Sequence, residues 1–312
     1  MSETLVTVVS VSSMAEKTQA EAQPLLWQPR MGRRRINSGV FATFCGTCTI
    51  LGCIVLVYLL WTMGSHGFDK LTWEFINSFP SRFAHKAGIK AALWGSAYLG
   101  FFTALFSIPV GVGAAIYLEE FSEDTRLRRM IDTNIANLAG VPSIVYGMLG
   151  LAIFVRFLGF GRSVISGALT MAILILPIII VSAREALKAV PQSVRHAAFA
   201  LGATKWQAVR SHVLPAAIPG ILTGIILAMA RAAGETAPLI LIGALNFVAF
   251  VPEGPMDSFT VLPIQIFNWV SRPQESFHDI AAAGMIVLVG MLVLTNGLAI
   301  VIRSRNQRKL QW

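Results

Sequence analysis

The stretch Ala216–Leu245, AAIPGILTGIILAMARAAGETAPLILIGAL, decides the architecture. It carries only two charges, Arg231 and Glu235, and little else that would hold it in water. One membrane-spanning helix needs about 20 mostly apolar residues. This run is longer than that, with room for tilt or protrusion. Five further runs have the same character: about Val40–Met63, Gly88–Leu118, Val141–Leu158, Val164–Ala183 and Ile280–Ile302. Short segments of alternating polarity do not recur, which argues against a membrane β-barrel. The reading is an all-α membrane protein with six transmembrane helices.

Composition agrees. Of the 312 residues, 55% are hydrophobic and 13% charged, with a mean hydropathy of +0.66. Soluble domains carry about 25% charged residues, so that class is excluded, and disorder of the whole chain fails on the same figures. The net charge of +9 offers two readings, nucleic acid or membrane topology. Sorting Lys and Arg by loop puts 17 on the side of both termini and six on the other. That sidedness predicts cytoplasmic termini and accounts for the basic excess without nucleic acid. The first apolar run lacks a small-residue cleavage site, so no removed signal peptide is expected.

Residues 1–38 are polar and end in Arg33-Arg34-Arg35. They read as a disordered cytoplasmic tail with a basic anchor facing lipid headgroups. Residues 39–305 form the transmembrane domain and 306–312 a cytoplasmic C-terminal tail. Cys45, Cys48 and Cys53 lie in one apolar run without the βαβ context of a redox motif or further metal ligands, so they read as helix lining. His66, His85, His196, His212 and His278 are scattered over both faces, so no metal site is expected.

The connection between the fourth and fifth runs, about 184–215, is long for a simple link. Pro191 suits a helix start, Gly202 suits a helix end after Val194–Leu201, and Trp206–Leu214 reads as a second short helix stopped by Pro215. The expected shape is two short interfacial helices hinged at Gly202. It fits two uses equally, lying on the membrane or inserting into a partner's groove.

Within this loop, His196-Ala197-Ala198, then Gly202, then Leu214-Pro215 resemble the EAA-type pattern of ABC importer permeases. His196 stands where that family prefers Glu, and His212 where it prefers an aliphatic residue. Pro109–Glu120, Ala139–Gly147, Arg231–Leu239 and Leu262–Pro273 narrow the resemblance to PstA-type permeases of phosphate-specific ABC importers. The resemblance implies a type I, MetI-like permease fold. It makes the 184–215 loop a coupling helix that docks on a cytoplasmic ATPase through His196, Ala197, Ala198, Gly202, Leu214 and Pro215. It also implies three partners: a second permease (PstC-like), an ATPase dimer (PstB-like) and a phosphate-binding protein (PstS-like). The location implied is the bacterial inner membrane. Sulfate and molybdate permeases share the loop pattern and also move tetrahedral oxyanions, so another oxyanion remains the alternative cargo. A phosphate-signalling scaffold is the alternative role.

Anion import through apolar helices needs a cation that can bind and release. Arg231 is the basic residue nearest the middle of a run, where a charge costs about 2.5–3.5 kcal/mol on insertion scales. Glu235, at i+4 on a continuous helix, shares its face and offsets the charge. Arg231 then offers its fork to phosphate oxygens, the rival reading being a structural ion pair. Ser143 and Tyr146, beside the bend expected at Pro142, are equally open to a pathway contact and to packing. Arg156 reads as a snorkelling anchor and Arg184 as part of the positive-inside bias. Trp61, Trp94 and Trp269 read as an interfacial aromatic belt. Gly111, Gly113, Gly220 and Gly224 read as close-packing faces. The long outer loop Asn246–Asp279 reads as a docking surface or gate. No G-x-x-x-x-G-K-[ST] segment is present, so ATP is expected on the partner ATPase. No catalytic residue and no cofactor of this chain's own are expected.

Overall fold

The computed structural model describes residues 31–244 and 247–308. Among them there is no strand. The chain divides into two units, residues 1–59 and 60–312. The described part of the first is a stretch of helix α1 (Met31–Gly67). The hydroxyls of Thr43, Thr47 and Thr49 donate back to the carbonyls of Gly39, Thr43 and Cys45 at 2.9 Å, so these polar side chains are satisfied within an apolar helix.

In the second unit, short helical turns at Phe68–Lys70, Trp73–Asn77 and Ala84–Lys86 precede α2 (Lys90–Ile116), which continues into a π-helical turn at Tyr117–Phe121. The Thr125 hydroxyl accepts the Arg128 N–H and opens α3 (Arg126–Ala139). At Gly140–Pro142 the chain turns by 102° into α4 (Ser143–Gly150), followed by a second π turn at Leu151–Phe157. Next come α5 (Val164–Lys188), α6 (Gln192–Ala200) and α7 (Lys205–Ala208). A third π turn, Val209–Val213, leads without interruption into α8 (Leu214–Gly234). The described elements close with α9 (Ala237–Ile242), α10 (Leu262–Val270) and α11 (Glu275–Arg308). Among the described residues five helical stretches are long and apolar enough to cross a membrane, or six if the bent α3–α4 pair counts as one span.

Helix α5 is the centre, with Ile175, Ile179, Ala183 and Leu187 fully buried. Helix α2 lies alongside it in parallel: Gly167 faces Leu99, and a Cβ on Gly111 would sit 2.6 Å from the Ile179 side chain. Helix α8 lies against α5 antiparallel. A Cβ on Gly220 would come within 2.7 Å of the Ala186 Cβ, and one on Gly224 would overlap the Ser182 hydroxyl. Small residues here let backbones approach, as expected for Gly111, Gly220 and Gly224. Gly113 differs, since a Cβ there would meet nothing within 4 Å. Helix α9 rests on α4, where Gly147 faces Pro238.

Several sequence expectations change. The fifth run is not one helix to Leu245: α8 ends at Gly234 and the chain re-enters helix only at Ala237. Pro238 has no N–H for the Gly234 carbonyl, and its ring opposes helix continuation before it. Conversely, Pro215 stops nothing. The preceding π turn shifts bonding to i→i−5, with the Leu214 N–H on the Val209 carbonyl, so the missing proline donor falls at a register change already made. The Arg-rich loop after the second run is the helix α3. Trp269 belongs to no belt; it is fully buried with Phe259 and Leu262, because α10 turns the outer loop back onto α11 and α2. That loop is therefore partly core. The tail expected over 1–38 lies outside the described residues as far as residue 30, and the backbone is helical from Met31. Leu245, Asn246 and residues 309–312 also lie outside.

Candidate functional site

The antiparallel register of α8 on α5 fixes the depth of Arg231. Gly220 pairs with Ala186 and Gly224 with Ser182, so Arg231 falls level with Ile175, half way along α5. It sits in the last turn of α8. Beyond it Glu235 is extended (φ −77°, ψ 127°), with its N–H on the Ala232 carbonyl. The helical i+4 geometry expected for the pair is therefore absent. The carboxylate still turns back, with Oε1 3.5 Å from Arg231 Nε. The Arg231 side chain is 49% exposed and that of Glu235 20%.

Glu235 also borders a narrow, mostly apolar cavity with Ser96, Gly100, Thr103, Met229 and Pro263. The Ser96 hydroxyl accepts the Leu262 N–H at 2.9 Å. The Thr103 hydroxyl is buried without a partner. Tyr146 is buried, and its hydroxyl donates to the Leu138 carbonyl at 2.8 Å, across the bend between α3 and α4. That bond holds the bend. Ser143, half-buried, opens α4 three residues earlier. Arg231 and Glu235 thus stay paired across the helix break, and Gly147, next to Tyr146, packs on Pro238 three residues beyond Glu235.

The residues expected to couple to an ATPase gather around α6. His196 and Ala197 are exposed there and Ala198 is buried beneath them. Gly202 is exposed with φ +80°, a conformation that suits glycine and turns the chain from α6 into α7. Thr204 and Gln207 form a reciprocal capping box that starts α7. Leu214 and Pro215 are half-buried inside the continuous α7–α8 rod. Phe199, Leu201 and Trp206 add apolar surface to the exposed side.

Beneath α6 lies a set of charges missed by reading the loops one at a time. Arg184 Nη2 donates to Asp132 of α3 at 3.1 Å and its Nε to Glu119 at 3.4 Å. Arg195 grips Glu120 with two bonds, 2.6 and 3.3 Å, and donates to the carbonyls of Val190 and Leu187. Arg128 adds a contact to Glu119 at 3.7 Å. Arg184 is therefore a nearly buried bridge between α5, α3 and the end of α2, a role beyond its place in the Lys/Arg sidedness. Its partners lie 52 and 65 residues away in sequence. The nearest signal was Glu119-Glu120, two adjacent acids at the end of an apolar run.

An all-helical bundle with five or six stretches fit to cross a membrane, and a polar break in one of them, is the build of a multi-pass membrane protein. The profile of the binding-protein-dependent transport system inner membrane component family matches residues 107–310. Phosphate transport system permease protein PstA 1 of Mycobacterium tuberculosis (strain ATCC 25618 / H37Rv) is 33% identical over 313 residues, covering 96% of this chain and 99% of its own. The permease of a bacterial alginate ABC transporter, solved with an alginate-bound periplasmic protein, superposes with a TM-score of 0.62 at 14% identity, over 87% of this chain and 96% of its own. The inward-facing MetNI methionine ABC transporter gives a TM-score of 0.53 at 19% identity, over 72% and 96%. The chain belongs to the binding-protein-dependent transport system inner membrane component family, as a homologue of its PstA permeases. Its fold is that of the type I ABC importer permeases, and its family is one of multi-pass membrane permeases rather than enzymes.

Proposed function

We propose that this chain is a permease subunit of an ABC importer that moves inorganic phosphate into the cytoplasm. The observation that carries this reading is the half-exposed Arg231 guanidinium at mid-depth, beside a helix break. A charge facing hydrocarbon there is costly, so the surface beside Arg231 belongs to a polar pathway shared with a second permease (PstC-like). Arg231 binds phosphate oxygens through its planar fork. Glu235 keeps the empty site near neutral, limits how tightly the anion is held and accepts a hydrogen bond from a protonated phosphate. Tyr146 and Ser143 border the same passage.

In this reading both termini are cytoplasmic, in the bacterial inner membrane. The 184–215 segment docks on a PstB-like ATPase dimer through the exposed side of α6 and α7, and ATP is bound and hydrolysed there, not on this chain. A PstS-like phosphate-binding protein delivers substrate to the opposite face. The phosphate assignment draws on the PstA relatives, since an arginine fork serves sulfate equally. Labelled-phosphate uptake with sulfate competition, in cells lacking this chain and then complemented with it, tests the cargo. Uptake restored by the chain and competed by phosphate but not by sulfate is the expected outcome. Uptake unaffected by loss of the chain rejects it.

A further inference from the structure

Glu119, Glu120 and Phe121 occupy the π turn at the end of α2, and each holds a different element. Glu119 reaches Arg184 of α5 at 3.4 Å and Arg128 of α3 at 3.7 Å. Glu120 is bound bidentately by Arg195 of α6, with both side chains nearly buried (7% and 11% exposed). The Phe121 ring lies 6.3 Å from that of Trp206 in α7, and Lys205 Nζ stands 5.5 Å over it. Both arms of the α6–α7 hairpin are thus fastened to one short turn.

The other end of the connection matters equally. Helix α2 runs from this turn back to Thr103, Gly100 and Ser96, which border the cavity beside Glu235. Helix α8 leads from α7 to Arg231 covalently. Two helices therefore link the hairpin to the Arg231–Glu235 pair, one through the backbone and one through the Glu120–Arg195 pair. Arg195 is well placed for that task. Its guanidinium spans the α5 end, at the Leu187 and Val190 carbonyls, and the Glu120 carboxylate, so α6 cannot shift without moving α2 or breaking a buried charged pair.

We propose that Glu120 and Arg195 form a mechanical clamp that carries displacement of α6 into α2, and so to the Glu235 side of the pathway. Both are positioning residues and neither touches the transported anion. The inference rests on the reading of α6 as the ATPase contact.

The test uses the assembled transporter in proteoliposomes, with uptake of labelled inorganic phosphate and ATP hydrolysis measured on the same vesicles. Glu120→Gln should lower phosphate moved per ATP about tenfold, with the ATPase still co-purifying and hydrolysing. Glu120→Asp, which keeps a carboxylate for the Arg195 fork, should retain much of the ratio, and Glu120→Gln with Arg195→Gln should be little worse than Glu120→Gln alone. A wild-type ratio in Glu120→Gln overturns the clamp. So does parallel loss of hydrolysis and co-purification, because Glu120 would then only hold the fold. Ala197→Trp, on the exposed side of α6, tests the underlying docking reading separately. If the ATPase still co-purifies with that variant, the docking reading fails whatever Glu120→Gln does.

Discussion

Arg195 and Arg231 each face a glutamate, yet they are built for opposite ends. Arg195 is nearly buried, bonds Glu120 twice and gives its remaining reach to two carbonyls. Arg231 is half exposed, and its Nε lies 3.5 Å from one Glu235 oxygen. A guanidinium has five N–H donors in a fixed fork. At Arg195 four bonds are made inside the chain, and at Arg184 three. At Arg231 half of the side chain stays exposed. Burial with full hydrogen bonding marks a charge that holds elements together, and exposure at mid-depth marks one kept for something that comes and goes.

That contrast is broken most severely at Arg184. Arg184→Gln takes the nearly buried cation from Asp132 and Glu119 and should destabilise the purified chain by about 3 kcal/mol, the low end for a broken buried pair because Arg128 still stands beside both acids. Thermal unfolding in detergent measures it, and an unchanged midpoint would mean the buried network is ornamental. Gly224→Val comes next. It forces a side chain into Ser182, separates α8 from α5 and should cost about 1–3 kcal/mol, readable in the same melt. Thr204→Ala removes the capping box of α7 and should cost about 1 kcal/mol. The smallest effect on stability belongs to Arg231→Gln, about 1 kcal/mol or less, since its pair is loose and exposed. A large stability loss there would place Arg231 in the same class as Arg184.

Much of the fold was legible because the bilayer demands length and apolarity that few other structures need. The runs at Val40, Val164 and Ile280 were found on that ground, and so were the close contacts of Gly111, Gly220 and Gly224. The break at Gly234–Pro238 was hidden because Gly, Thr, Ala and Pro scarcely lower hydropathy, although Gly-Glu-Thr-Ala-Pro is a stop signal when read for backbone donors. Helix α3 was masked by its arginines, yet Leu127, Met130, Ile131, Ile135 and Leu138 keep helical spacing. Trp269 was misplaced because side-chain type suggested an interface while tertiary folding of α10 buried it. At the site, Arg231 stood out as an unexplained mid-run charge. The grip of Arg184 and Arg195 on acids dozens of residues away has no local trace, since long-range pairing is set by how α2, α3, α5 and α6 converge.

The central claim is that Arg231 serves the passing anion rather than the fold. Uptake of labelled phosphate by proteoliposomes carrying Arg231→Gln, with membrane level and melting point recorded beside it, tests this most directly. The account predicts loss of uptake by two orders of magnitude or more, from a protein that inserts and melts like the parent. Parental uptake without the guanidinium would contradict it.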